Sequence, residues 1–143
     1  MRKGATTIDT SALTPGLKGQ SQLVVGEEQT AGFVGSGRAP VLATPIMVAL
    51  MEAAAVACVE PLLADQGAET LGVHLDVEHT APTPIGLTVT ATATLAEVDG
   101  RKLVFDVEAS DDAQVVGNGR HTRVIVDSER FRAKVRAKAP QRA

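Results

Sequence analysis

The stretch Ile46 to Val59, IMVALMEAAAVACV, is apolar at every position but one, and the exception is an acid, Glu52. A helix at a protein surface carries one apolar stripe, whereas a helix apolar all round is buried. Ala, Leu and Met form helices readily, and Thr44-Pro45 supplies a capping hydroxyl and a proline suited to the first helical position. The run is too short and alanine-rich for a membrane span, and Glu60, Asp65 and Glu69 follow it closely. The expectation is a central helix of roughly 20 residues, about 30 Å long, wrapped on most sides by the rest of the chain. A carboxylate in its middle is costly unless paired, which makes Glu52 the first candidate functional group.

At 143 residues the chain is expected to form one domain, 1–143, with a core of its own. Three Phe, with no Tyr and no Trp, argue against nucleic-acid binding by base stacking, and a net charge of −3 argues against a phosphate-backbone binder. The single cysteine, Cys58, lies in the apolar run and fits a reducing compartment. No apolar run follows the basic residues at the N-terminus, so a cytoplasmic location is expected.

Residues 1–12 are small and polar and are expected to be poorly ordered. Leu17 to Val25 reads as a first strand, and Ala31 to Pro40, AGFVGSGRAP, as a mobile loop entering the helix. Those glycines have neither the Lys-Ser/Thr of a phosphate loop nor a strand-helix dinucleotide context. After a polar connection over 64–70, LGVHLDVEHTA alternates with a period of two. That puts Leu71, Val73, Leu75, Val77 and His79 on one face, and Gly72, His74, Asp76, Glu78 and Thr80 on the other. Leu87 to Leu95 and Leu103 to Ala109 alternate in the same way, joined by a two-residue hairpin at Asp99-Gly100. Gln114 to Val126 returns as a long strand with a bulge expected at Gly117-Asn118-Gly119. Asp127-Ser128 then caps a short basic helix, 128–138. One strand, a long helix and four antiparallel strands make an α+β fold with the sheet curling around the helix. Edge strands of such sheets are commonly covered by a second copy, so a homodimer is expected.

Glu52 and His79 form the candidate constellation, a carboxylate on the helix and an imidazole on the sheet face that packs against it. A carboxylate beside a histidine raises its basicity and orients its ring, which suits general base work at neutral pH. Thr44 adds a hydroxyl where free backbone N–H groups favour a developing oxyanion. Thr44 and Glu52 are roughly 12 Å apart along the axis, so a substrate or a second subunit has room between them. Plainer roles compete: Thr44 as an N-cap, His79 as a satisfied boundary residue, Glu52 as a structural partner of Arg123. The three histidines lack the spacing of a metal site, and no cofactor is implied. The basic helix reads as a solvated face, with an anionic cofactor tail as the lesser alternative.

ATPIMVALMEAAAVACV, LGVHLDVEHTAPTPIGLTVT, the DGRKL hairpin and GNGRHTRVIVDSERFRAKVRAK together resemble the fluoroacetyl-CoA thioesterase family of hotdog proteins. The similarity runs from about Ala43 to Lys138. It implies the hotdog fold, hydrolysis of a small acyl-CoA or related thioester, and a homodimer. The family's catalytic threonine, glutamate and histidine match Thr44, Glu52 and His79. Its substrate-lining glycine and arginine match Gly72 and Arg123. The fluoroacetyl-specific member has aromatics just before the threonine, where this chain has SGRAPVLA and only Phe33 further back. A flexible, non-aromatic entrance implies weak discrimination among short acyl groups. A non-catalytic acyl-CoA binder is the main alternative; a hotdog dehydratase is a second rival, although this sequence shows no hydratase-type Asp/His pair on the central-helix side.

Overall fold

A computed structural model describes residues 7–140. The strands are β1 (Lys18–Val24), β2 (Ala68–His79), β3 (Thr88–Asp99), β4 (Lys102–Ser110) and β5 (Val115–Asp127). The helices are α1 (Ala31–Val34), α2 (Thr44–Val59) and α3 (Ser128–Lys138). All five strands join one antiparallel sheet in the order β1-β3-β4-β5-β2. The sheet curls around α2, which packs chiefly on β1 and β3. Period-two alternation makes this possible: Val89, Ala91, Ala93 and Leu95 of β3 turn inward and are fully buried, while the threonines between them face out.

The core face of α2 is Met47, Leu50, Met51, Ala54, Ala55, Cys58 and Val59, a stripe at helical spacing. The opposite side is not covered by the described residues. Thr44, Pro45, Ala49, Ala53 and Ala57 are exposed, and Val48, Glu52 and Val56 are half-buried. The expectation of a helix wrapped on most sides is therefore corrected. One sheet covers one face, and the second apolar face remains open. The helix is also shorter than expected, at 16 residues, and passes into a 3-10 turn, Glu60–Leu62, where Pro61 cannot continue the bonding ladder.

Three further expectations change. Ala31 to Pro40 is not wholly loop, because Thr30 accepts a hydrogen bond from the Phe33 amide and starts the one-turn helix α1. The β3–β4 loop is Gly100-Arg101, one residue later than expected, with Gly100 at φ +62°. Gly117, Asn118 and Gly119 pair regularly with both neighbours; the irregularity falls at Val116, whose carbonyl accepts from Thr80 and Ala81. Residues 1–6 lie outside the described residues. Asp9 exchanges two hydrogen bonds with Gln66, and Ile8 packs on the core, so 7–12 are tied down rather than loose. The basic helix forms as expected, with Asp127 accepting from the Arg130 amide.

Candidate active site

The five candidate residues fall into two clusters along the molecule's long helix, Thr44 with His79 and Glu52 with Arg123 and Gly72. At its start, Ala43 rather than Thr44 is the N-cap, and no side chain caps the helix. Thr44 is the first helical residue, and its hydroxyl lies 2.7 Å from His79 Nδ1. The capping role for Thr44 is thus excluded by geometry. His79 ends β2, and its Nε2 is the one buried side-chain polar atom without a hydrogen-bond partner among the described residues. A cleft of about 280 Å³ opens here, lined by Val41, Leu42, Thr44, His79, Ala81 and Pro82 among others.

Two turns along α2, Glu52 Oε2 lies 3.5 Å from Arg123 Nη1 and 3.9 Å from His121 Nε2. No hydrogen bond or ion pair joins Glu52 to His79, so the expected carboxylate–imidazole pair does not form within one chain. Nor is Glu52 deeply buried: its side chain is 38% exposed. Arg123, 7% exposed in its side chain, is the buried member of the pair. The apolar sequence around Glu52 misled on this point because half of that apolar surface is uncovered.

Gly72 joins the second cluster by means of a bulge. Gly72 pairs with Arg123 but His74 pairs with Thr122, so Val73 is an extra residue in β2. One inserted residue turns the alternation over. Strict alternation put Gly72 opposite His79; the bulge brings both to the helix side. A Cβ at Gly72 would meet Glu52 Oε2 at 2.5 Å, His121 Cε1 at 3.0 Å and Arg123 Nη1 at 3.2 Å. The glycine leaves the room that the acid–guanidinium pair fills.

His121 went unassigned in the sequence reading. It is fully buried, its Nδ1 donates to the His74 carbonyl at 2.9 Å, and its Nε2 accepts from Arg123 Nη1 at 3.0 Å. The available signal was its place two residues before Arg123 on the inward face of an alternating strand. Burial pushes both His79 and His121 below the ordinary histidine value of 6.5. The nearby Arg123 charge adds to the effect at His121, while Glu52 and the His74 carbonyl oppose it. Among the described residues, no group of three His, Cys, Asp or Glu side chains is placed to hold a metal.

These lowered values carry a stability consequence. As pH falls through about 6.5 the unfolded chain takes up protons at both imidazoles, while the folded chain still excludes them. The native state therefore loses stability on acidification below that point and keeps it above. The melting temperature is expected to be level near pH 8 and to fall between about pH 6.5 and 5, before the carboxylates titrate. A melting temperature unchanged across that window would count against neutral, buried histidines.

A curled antiparallel sheet on one long helix, with a hydroxyl–imidazole pair at the helix start and an acid further along, has clear counterparts among known proteins. The family described as fluoroacetyl-CoA-specific thioesterase matches residues 25–129. The fluoroacetyl-CoA thioesterase of Streptantibioticus cattleyicolor is 48% identical over 100 residues, spanning 70% of this chain and 71% of that protein. A solved fluoroacetyl-CoA thioesterase superposes with a TM-score of 0.80 at 40% identity, covering 89% of this chain and 98% of the other. A hot-dog-like protein from Thermanaerovibrio acidaminovorans gives a TM-score of 0.83 at 25% identity, covering 94% and 100%. The chain is a hotdog-fold thioester hydrolase. Within that class it belongs to the fluoroacetyl-CoA-specific thioesterase family.

Proposed function

We propose that this chain hydrolyses short acyl-CoA thioesters to free acid and thiol, with Thr44, Glu52 and His79 as its catalytic residues. The observation that carries the reading is the 2.7 Å Thr44–His79 contact at the mouth of a cleft, with Nε2 of the same ring unpaired. An imidazole kept neutral at pH 7 can take a proton from attacking water and return it to the departing thiolate. Water adds to the carbonyl, the C–S bond breaks, and acid and thiol leave. Thr44, at the positive N-terminal end of the helix dipole, positions the carbonyl where its oxyanion is stabilised. Glu52 activates the water or attacks the carbonyl itself, Arg123 holds its charge, and Gly72 offers a backbone N–H to the substrate.

The separation of Glu52 from His79 is resolved by assembly. Val73 and Leu75 on the edge strand β2 are 56% and 40% exposed, and the alanine face of α2 is open beside them. Antiparallel pairing of two β2 edges centred near Leu75 sets the His79 end of each strand against the Gly72 end of the other. Each site then combines Thr44 and His79 from one copy with the Glu52–Arg123 cluster of its mate. Light scattering is expected to give twice the 14.8 kDa chain mass. A stable monomer at micromolar concentration would remove this shared site. The free, buried Cys58 fits a cytoplasmic setting.

The direct test is thiol release from a panel of short acyl-CoAs, followed with a thiol-reactive dye. Tight binding with no thiol released would replace hydrolysis with simple ligand binding. No phenylalanine lines the Thr44 cleft among the described residues, and Phe33 instead edges a separate groove with Arg38 and Ile85. An apolar wall separates small acyl groups by only about 1–3 kcal/mol per methylene. Acetyl-CoA is therefore expected to be hydrolysed appreciably, without a large preference for the fluorinated substrate. A kcat/KM ratio on the order of several thousand-fold or more in favour of fluoroacetyl-CoA would overturn that expectation.

A further inference from the structure

Arg123 meets Glu52 with one corner of its guanidinium; the rest of the group is bound elsewhere. Its Nε donates to Thr70 Oγ1 at 2.8 Å, and its Nη2 donates to the Thr70 carbonyl at 3.0 Å. Thr70 is itself held, because its amide and its hydroxyl both donate to Glu60 Oε2, at 2.9 and 2.8 Å. On the other side, His121 Nε2 accepts from Nη1 at 3.0 Å, with the ring fixed by its bond to the His74 carbonyl. Thr70, His121 and Arg123 are 4%, 0% and 6% exposed, so water does not compete for these bonds. Glu52 and Glu60 lie eight residues apart, one in α2 and the other at the start of the 3-10 turn that follows it. One reaches the guanidinium directly, the other through Thr70.

We propose that Thr70, with Glu60 behind it and His121 beside it, is a positioning residue that sets the angle at which Arg123 meets the Glu52 carboxylate. The network rests on the hydrolase reading above, and none of its members lines the cleft at Thr44. Arg carries a flexible stem and a flat, directional donor fork, so its head is only as well placed as its acceptors. Without the Thr70 hydroxyl, Nε loses its acceptor and Glu60 loses a donor. The guanidinium then swings on its remaining bonds, and Glu52 follows it.

Thr70→Val removes the hydroxyl and keeps the shape. It is expected to lower kcat about 10-fold or more, with KM little changed, since small misplacements near reacting groups are costly. Thr70→Ser restores the hydroxyl and is expected to return kcat to within about 3-fold of the unaltered chain. In an Arg123→Lys background, Thr70→Val is expected to cost less than about 3-fold, because the group it steers is gone. Thr70→Ala carries the same expectations if the valine variant does not fold. A fully active Thr70→Val, a Thr70→Ser as impaired as the valine, or additive losses in the lysine background would each overturn the proposal. No thiol release by the unaltered chain would remove the hydrolase reading, and this proposal with it.

Discussion

Glu52→Gln is expected to lose most thioester hydrolysis, by about 10² to 10⁴-fold in kcat, while the protein stays folded. The amide keeps the shape of the carboxylate but can neither accept a proton from water nor attack a carbonyl. Stability should barely move, for two reasons. Glu52 is 38% exposed, so its ion pair with Arg123 at 3.5 Å is screened by solvent and contributes little. The buried guanidinium also keeps its bonds to Thr70 and His121, and is not left stranded. A fall in melting temperature of under about 5 °C is expected. If Glu52→Gln hydrolyses acyl-CoA at the unaltered rate, Glu52 is only Arg123's structural partner and the mechanism above fails.

Gly72→Ala should show a loss of the same kind from a single added methyl. The new Cβ would stand 2.5 Å from Glu52 Oε2 and 3.0 Å from the buried His121 ring. His121 has nowhere to retreat, since it is fully enclosed and bonded at both nitrogens. The half-exposed Glu52 side chain is the one able to move, and moving it opens its contact with Arg123. Gly72 does not have positive φ, so alanine adds no backbone strain at this position. The expected result is a drop of about 10 to 10²-fold in kcat with a near-normal melting temperature. Unchanged kcat would show that the space above Gly72 is not needed by the acid.

The helices and strands were legible because their signals are local. Period-two runs at Val89 to Leu95 and Leu103 to Val107 became β3 and β4, and the apolar run became α2. The resemblance carried by these segments gave the family and its five matching residues. What the α2 sequence did not reveal was which apolar face meets the sheet. Both faces are apolar, and burial within the chain and burial against a second copy leave the same pattern.

The sequence by itself determined the residue types available for chemistry, the order of the elements and the kind of fold they make. The tertiary structure alone decided which of those residues meet. Thr44 finds His79, 35 residues away, in place of its own helix cap; Arg123 finds Thr70 across 53 residues and Glu52 across the sheet–helix interface. The bulge at Val73 turned Gly72 toward the helix, and His121 entered the site through a buried strand face that alternation alone describes as core. Secondary structure follows from a local pattern, neighbours two residues apart in a strand and three or four apart in a helix. A catalytic geometry follows from strand register and helix placement, and a single inserted residue in β2 is enough to change which side chains share it.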